Sequence, residues 1–262
     1  KMTGRLIGKV AIISGGGGAI GSAQAKLFAS EGARVCVADI NIHAAETVAR
    51  EIRATGGEVI SATLDVRKAD DWDSVVTLSE KQFGIVNILC NIAGSNFRVS
   101  FDEQTTEQWR NIIDVGLTGS FLGIKAVVPA MRRAGSGVIL NMGSLYAIRP
   151  TEGMPGYAAQ KTGMIGLTRS AAMSYARDNI RCVLISPGHV DTPFLRDNAS
   201  HSPNDWSTSI NNPENYKNRL SKTPLGRLLT GDDIANTFLF AASDEAAMIT
   251  GSMITVDGGA SL

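Results

Sequence analysis

The chain has 262 residues, 44% of them hydrophobic, with 25 Lys plus Arg set against 25 Asp plus Glu. This length and apolar content allow one large α/β domain or two small ones with a substantial core. The balanced charge argues against a nucleic-acid footprint and against attachment to an anionic membrane, and favours a small neutral or singly charged partner. The sequence shows no apolar run near the roughly twenty residues of a spanning helix. No signal-peptide pattern is evident, and the leading Lys1-Met2 reads as an appendage, so a soluble, cytoplasmic protein is expected. Cys36, Cys90 and Cys182 each lie in an apolar, strand-like run without metal-type spacing, which predicts reduced, buried thiols and no metal site.

Short β-branched runs alternate with longer helical ones from the start, the pattern of parallel strands joined by crossover helices. The strands are expected at Val10–Ser14, Arg34–Ala38, Glu58–Thr63, Val86–Asn91, Gly137–Asn141, Arg181–Ile185 and Ser252–Val256. Most are unbroken in Val, Ile, Leu, Ala and Cys instead of alternating, as expected when helices cover both faces of a sheet. No linker divides the chain, so a single domain is predicted, with its dinucleotide-binding half at about 8–150. The stretch from Thr192 to Leu225 is rich in Asn, Ser and Pro, and a loop of that length is usually functional or mobile. It is read as a lid over a substrate.

The first strand runs into Ser14-Gly15-Gly16-Gly17-Gly18-Ala19-Ile20-Gly21 and then into a helical pattern. Glycines at a strand-to-helix turn let the backbone approach a ligand, and the helix N-terminus offers free N–H groups to a pyrophosphate. Ser14, Gly15, Gly18 and Ile20 are therefore candidate cofactor contacts. The second strand ends in Asp39, eighteen positions past Gly21, where a carboxylate accepts hydrogen bonds from a ribose diol and repels a 2′-phosphate. Gly18, Ile40 and Asn41 supply no cation there, so NAD is expected over NADP; the plainer reading makes Asp39 a solvated strand end.

Small residues close the fourth strand at Asn91-Ile92-Ala93-Gly94, which suits the crevice where open α/β sheets bind ligands. The fifth strand leads to Gly143-Ser144, thirteen residues before Tyr157. Ser144 is read either as a turn hydroxyl bonded to nearby backbone or as a group that meets the Tyr157 hydroxyl on a substrate oxygen. Tyr157 and Lys161 are four residues apart, so on a helix they share one face. An ammonium near a phenol favours the phenolate and draws its pKa down toward working pH, which would make Tyr157 a general acid or base.

Assembled, these residues resemble the short-chain dehydrogenase/reductase family over nearly the whole chain. The matching features are the turn Ser14–Gly21, Asp65-Val66, Asn91–Gly94, Ser144, Tyr157 with Lys161, Pro187-Gly188 followed by Val190 and Thr192, and Asp257-Gly258-Gly259. The resemblance implies a Rossmann-type, doubly wound seven-stranded parallel sheet and hydride transfer between a nicotinamide cofactor and a carbon bearing oxygen. It implies that Ser144 positions the substrate oxygen, that Tyr157 transfers the proton, and that Lys161 lowers the Tyr157 pKa and holds the nicotinamide ribose. Asp65 and Val66 would flank the adenine, and Asn91, Ala93 and Gly94 would lie beside the cofactor. Pro187, Gly188, Val190 and Thr192 would contact its nicotinamide end. A homotetramer packed through the helices containing Gly119–Met131 and Tyr157–Ala176 is also implied.

Two departures stand out. Ala19 and Ser14 replace a usual Gly and Thr in the turn, a tolerable change of size. Val115-Gly116-Leu117-Thr118-Gly119 has Gly116 where many members have an Asn credited with keeping a kink and a proton-relaying water, and this puts the relay in doubt. The expected activity is NAD-dependent interconversion of a secondary alcohol and a ketone, or of a hemiacetal and a lactone. The candidate pocket residues are Asn96, Arg98, Tyr146, Arg149, Met154 and His189, and a polar substrate such as a sugar or hydroxy acid is preferred because of Asn96, Arg98, Arg149 and His189 and of Asn198, His201, Asn204, Arg219 and Lys222 on the lid. The alternatives are an apolar alcohol or steroid and, from another class, a non-catalytic NAD-binding regulator.

Overall fold

Residues 4–262 are described by a computed structural model of the chain; Lys1-Met2 lies outside them. Seven parallel strands form one sheet: β1 (Val10–Ser14), β2 (Arg34–Asp39), β3 (Val59–Thr63), β4 (Ile88–Asn91), β5 (Gly137–Met142), β6 (Ile180–Pro187) and β7 (Met253–Val256). Their order, β3-β2-β1-β4-β5-β6-β7, reverses beside β1. That reversal opens a crevice at the carboxyl ends of β1 and β4, where ligands of doubly wound sheets bind. The expected fold class, strands and single sheet are present, with strand ends shifted by up to two residues.

The unbroken apolar runs are explained by two cores, one on each face. Along β1, Ala11 and Ile13 face a core with Phe28 of α1 (Ala19–Ser30), Val48 of α2 (Ile42–Ala54) and Phe238 of α9 (Gly231–Ala242). Val10 and Ile12 face the opposite core, with Trp72 of α3 (Ala69–Phe83) and Val127 and Met131 of α5 (Gly119–Ala134). Fully burying a side chain such as Phe28 stabilises by roughly 1.5–3 kcal/mol. Both faces of inner strands such as β1 are therefore apolar by necessity, while the edge strands β3 and β7 keep exposed positions.

α4 (Thr106–Ile113) runs through a five-residue π turn, Asp114–Thr118, into α5. Contrary to the expectation of no such run, the composite helix Thr106–Ala134 has 29 residues and is long and apolar enough, by length and composition, to span a membrane. Its apolar content is that of a core helix, because Gly119, Gly123, Ile124, Val127 and Met131 pack inward against the sheet and α3. The three cysteines are buried and unpaired, and burial pushes the thiols up, Cys36 to about 11 and Cys182 to about 12.

α6 (Pro155–Tyr175) begins with a proline, whose missing N–H costs nothing in a first turn. The lid is not the irregular segment expected. It contains α7 (Pro193–Arg196) and α8 (Pro213–Ser221), the latter started by Pro213 and capped by Asn212, whose side chain accepts from Glu214 N.

Candidate active site

One cavity of about 850 Å³ runs along the carboxyl ends of the strands, from the glycine turn to Tyr157 and the lid. At its first end, the turn is shaped by close packing. Gly15 has φ +67°, and a Cβ there would meet Ala93 N at 2.8 Å, while one on Gly21 would overlap the Gly15 carbonyl. The N-terminus of α1 has no side-chain cap and no acidic residue in its first turn, so its N–H groups are free for an anion. Asp39 anchors the loop: its Oδ2 accepts from Gly17 N at 3.0 Å and its Oδ1 from Asn41 N at 2.9 Å.

At the other end, Ser144, Tyr157 and Lys161 are brought together from β5 and α6. The Ser144 Oγ accepts from Tyr146 N at 3.2 Å, which starts a short helical turn, so the backbone-bonded reading holds, and the residue also lines the cavity. The first turn of α6 is satisfied by Gln104, whose Oε1 accepts from Gly156 N at 2.8 Å. One turn on, Lys161 is only 4% exposed and donates from Nζ to the Met142 carbonyl at 3.0 Å, at the end of β5. Met154, just before α6, takes φ +70°, an uncommon conformation for a residue with a side chain, and its sulfur accepts from Asn96 Nδ2 at 3.1 Å.

The pKa pattern corrects one expectation. Burial pushes the Tyr157 phenol above its ordinary value, while the Ser144 hydroxyl and the Arg98 guanidinium pull it back. The Lys161 ammonium lies over the Tyr157 ring face, 5.4 Å from the centroid, and donates to the Met142 carbonyl. Burial also draws Lys161 itself down to about 8.

A family model described as enoyl-(acyl carrier protein) reductase matches residues 17–261. The chain is 38% identical over 258 residues to the 2,5-dichloro-2,5-cyclohexadiene-1,4-diol dehydrogenase LinX of Sphingobium indicum, covering 98% of each chain. The chain belongs to the short-chain dehydrogenase/reductase family. A second family member, trans-4-hydroxycyclohexanecarboxylate dehydrogenase of Sinomonas cyclohexanicum, is 34% identical, with 99% of this chain and 95% of that one covered. Among solved structures, a 7α-hydroxysteroid dehydrogenase complexed with NADH and 7-oxo glycochenodeoxycholic acid superposes with a TM-score of 0.89 at 33% identity, covering 97% of this chain and 95% of that chain.

As a member of this family, the chain has a cavity that fits a dinucleotide. The uncapped α1 terminus and the glycines that exclude any Cβ match a pyrophosphate, and Asp39 and Lys161 border the two ends where riboses would lie. Ile20, Asp65, Val66, Ala93, Gly94, Pro187, Gly188, Val190 and Thr192 all line this cavity, as expected. Ser14 and Asn91 do not. Ser14 is buried, its Oγ accepting from Ile92 N at 3.2 Å, and Asn91 donates from Nδ2 to Asn141 Oδ1 at 2.9 Å; both join strands beneath the cofactor groove.

Among the candidate substrate residues, Asn96, Arg98, Tyr146, Met154 and His189 line the cavity. Arg149 does not, because the loop after β5 turns outward and its exposed guanidinium donates to the main-chain oxygens of Ala260 and Leu262. The cavity is also lined by polar residues beyond those candidates. Arg67 lies beside Asp39 but is held bidentately by Asp65 at 2.8 Å in each contact; Asn111 accepts from Ser95 Oγ at 2.9 Å; and Arg219 of α8 reaches back over His189.

Proposed function

We propose that the chain is an NAD-dependent oxidoreductase that interconverts a ring-bound secondary alcohol and the corresponding ketone. The observation that carries the reading is the joining of Ser144, Tyr157 and Lys161 to an uncapped helix terminus by one continuous cavity. Relatives named for cyclohexadienediol and hydroxycyclohexanecarboxylate support a six-membered ring as substrate. Asp39 supports NAD, and Arg67, which lines the same cavity, is already paired with Asp65 and so offers little to a 2′-phosphate.

The bound nicotinamide would accept or supply the hydride. The protein's part is proton transfer and orientation. Ser144 donates a hydrogen bond to the substrate oxygen, and Tyr157 gives it a proton during reduction or removes one during oxidation. Because burial holds the phenol above its ordinary value, Tyr157 is protonated at neutral pH, the form that reduction uses. Lys161, fixed on Met142 O, is the residue that would hold the nicotinamide ribose.

The test is turnover of cyclohexanol and hydroxycyclohexane substrates by the purified protein with NAD and with NADP. Oxidation with NAD is expected. Cofactor binding without turnover across the panel would instead favour a regulator, and a preference for NADP would overturn the role given to Asp39. We also propose a homotetramer, supported by Phe121 at 46% and Met173 at 84% exposure on the outer faces of α5 and α6. A stable monomer in sedimentation at micromolar concentration would overturn it.

A further inference from the structure

The substrate end of the cavity contains two guanidiniums, Arg98 and Arg219, close enough that Arg219 disfavours charge on Arg98. Among the described residues neither forms an ion pair with a carboxylate. The cavity's own acids, Asp39 and Asp65, sit at the nucleotide end, where one holds two amides and the other Arg67. Two partly desolvated cations without a counter-charge are costly unless a ligand supplies it.

The donors that remain can be counted. A guanidinium has five N–H groups. Arg98 uses three: Nη1 to Ser202 Oγ at 2.9 Å and to Pro203 O at 3.3 Å, and Nη2 to Phe194 O at 2.9 Å. Its Nε–H and one Nη2 hydrogen remain. Arg219 spends one on His189 Nδ1, 3.3 Å from its Nη1, and also faces the Tyr146 hydroxyl, which leaves donors on its remaining edge. Burial and the nearby Arg219 and Lys222 hold His189 down to about 4, so the ring is neutral and Nδ1 is free to accept. His189 thus orients Arg219 without spending its charge, and a planar two-oxygen anion matches the open edges of such groups.

We propose that Arg219 and Arg98 form a carboxylate-binding subsite, and that the substrate is a cyclic hydroxy acid whose carboxylate they hold while Ser144 and Tyr157 meet its hydroxyl. The inference rests on the dehydrogenase reading above, but its test need not. The non-reactive cyclohexanecarboxylate and its neutral partner cyclohexanecarboxamide are titrated calorimetrically into the protein saturated with NAD. The carboxylate is expected to bind at least tenfold more tightly, and Arg219→Gln to erase that preference. Arg98→Lys, which keeps the charge but loses the fork and part of the lid contact, is expected to reduce the preference severalfold.

Equal affinity for the two probes, failure of the carboxylate to bind at millimolar concentration, or a preference that survives Arg219→Gln would each overturn the subsite. Carboxylate binding with no oxidation of 4-hydroxycyclohexanecarboxylate or cyclohexanol would leave the subsite standing and sink the dehydrogenase reading. Oxidation of cyclohexanol without carboxylate preference would do the reverse.

Discussion

The side chain of Gln160 occupies the space that a side chain at position 116 would need. A Cβ on Gly116 would lie 2.5 Å from Gln160 Cδ and 2.6 Å from its Nε2, and Gln160 is 1% exposed. Gly116→Asn should therefore destabilise the protein by about 1–3 kcal/mol through overpacking. Adding Gln160→Ser should recover much of that loss. Thermal unfolding of the two single variants and the double variant measures the coupling; strictly additive losses would show that the two positions are independent.

Tyr157→Phe keeps the ring and its edge contact with Tyr146, whose centroid is 5.9 Å away, while removing the hydroxyl. The rate of ketone reduction should fall by about 10²–10⁴-fold with cofactor affinity nearly unchanged. Undiminished turnover would mean that another group moves the proton.

Removing the Asp39 carboxylate takes acceptors from two backbone amides as well as from any ribose. Asp39→Ala should weaken NAD by roughly 1–3 kcal/mol and narrow the gap to NADP. The melting temperature should drop in the same variant, because Gly17 N and Asn41 N lose their partner. Cofactor titrations paired with melting curves separate the two effects.

His189 gives a pH signature. In the unfolded chain it takes up a proton near its ordinary value of 6.5, and in the folded protein only near 4. Between those values the unfolded state binds more protons, so stability falls as the pH drops through that window. His189→Gln, which retains an acceptor for Arg219, should show a shallower loss. Denaturant unfolding of both proteins at pH 7 and pH 4.5 gives the comparison, and parallel losses would show that His189 is solvated in the native state.

The fold and the reactive core were legible because short-range rules govern them. Unbroken apolar strands such as Val10–Ser14 require cover on both faces, and Tyr157 and Lys161 share a face through helical spacing alone. The substrate end was legible only in part, since its residues meet through long-range loop placement. Arg149 follows a strand end, as pocket residues do, yet its loop turns toward Ala260 and Leu262. Arg219 reaches the pocket only because Asn212 and Pro213 start a helix inside a polar segment, and one turn of that helix carries the guanidinium to His189.

The Phe194 carbonyl gathers three donors, from Arg98 Nη2, Ser202 Oγ and Asn204 Nδ2, and Asn204 also bonds the Asp197 carbonyl. The stretch between Phe194 and Asn204 is thereby wired to itself and to one pocket side chain. A segment wired this way would move as one piece instead of unzipping residue by residue. Were product release to need this segment to lift off Arg98, solvent viscosity, more than deuterium on the substrate carbon, would slow the steady state.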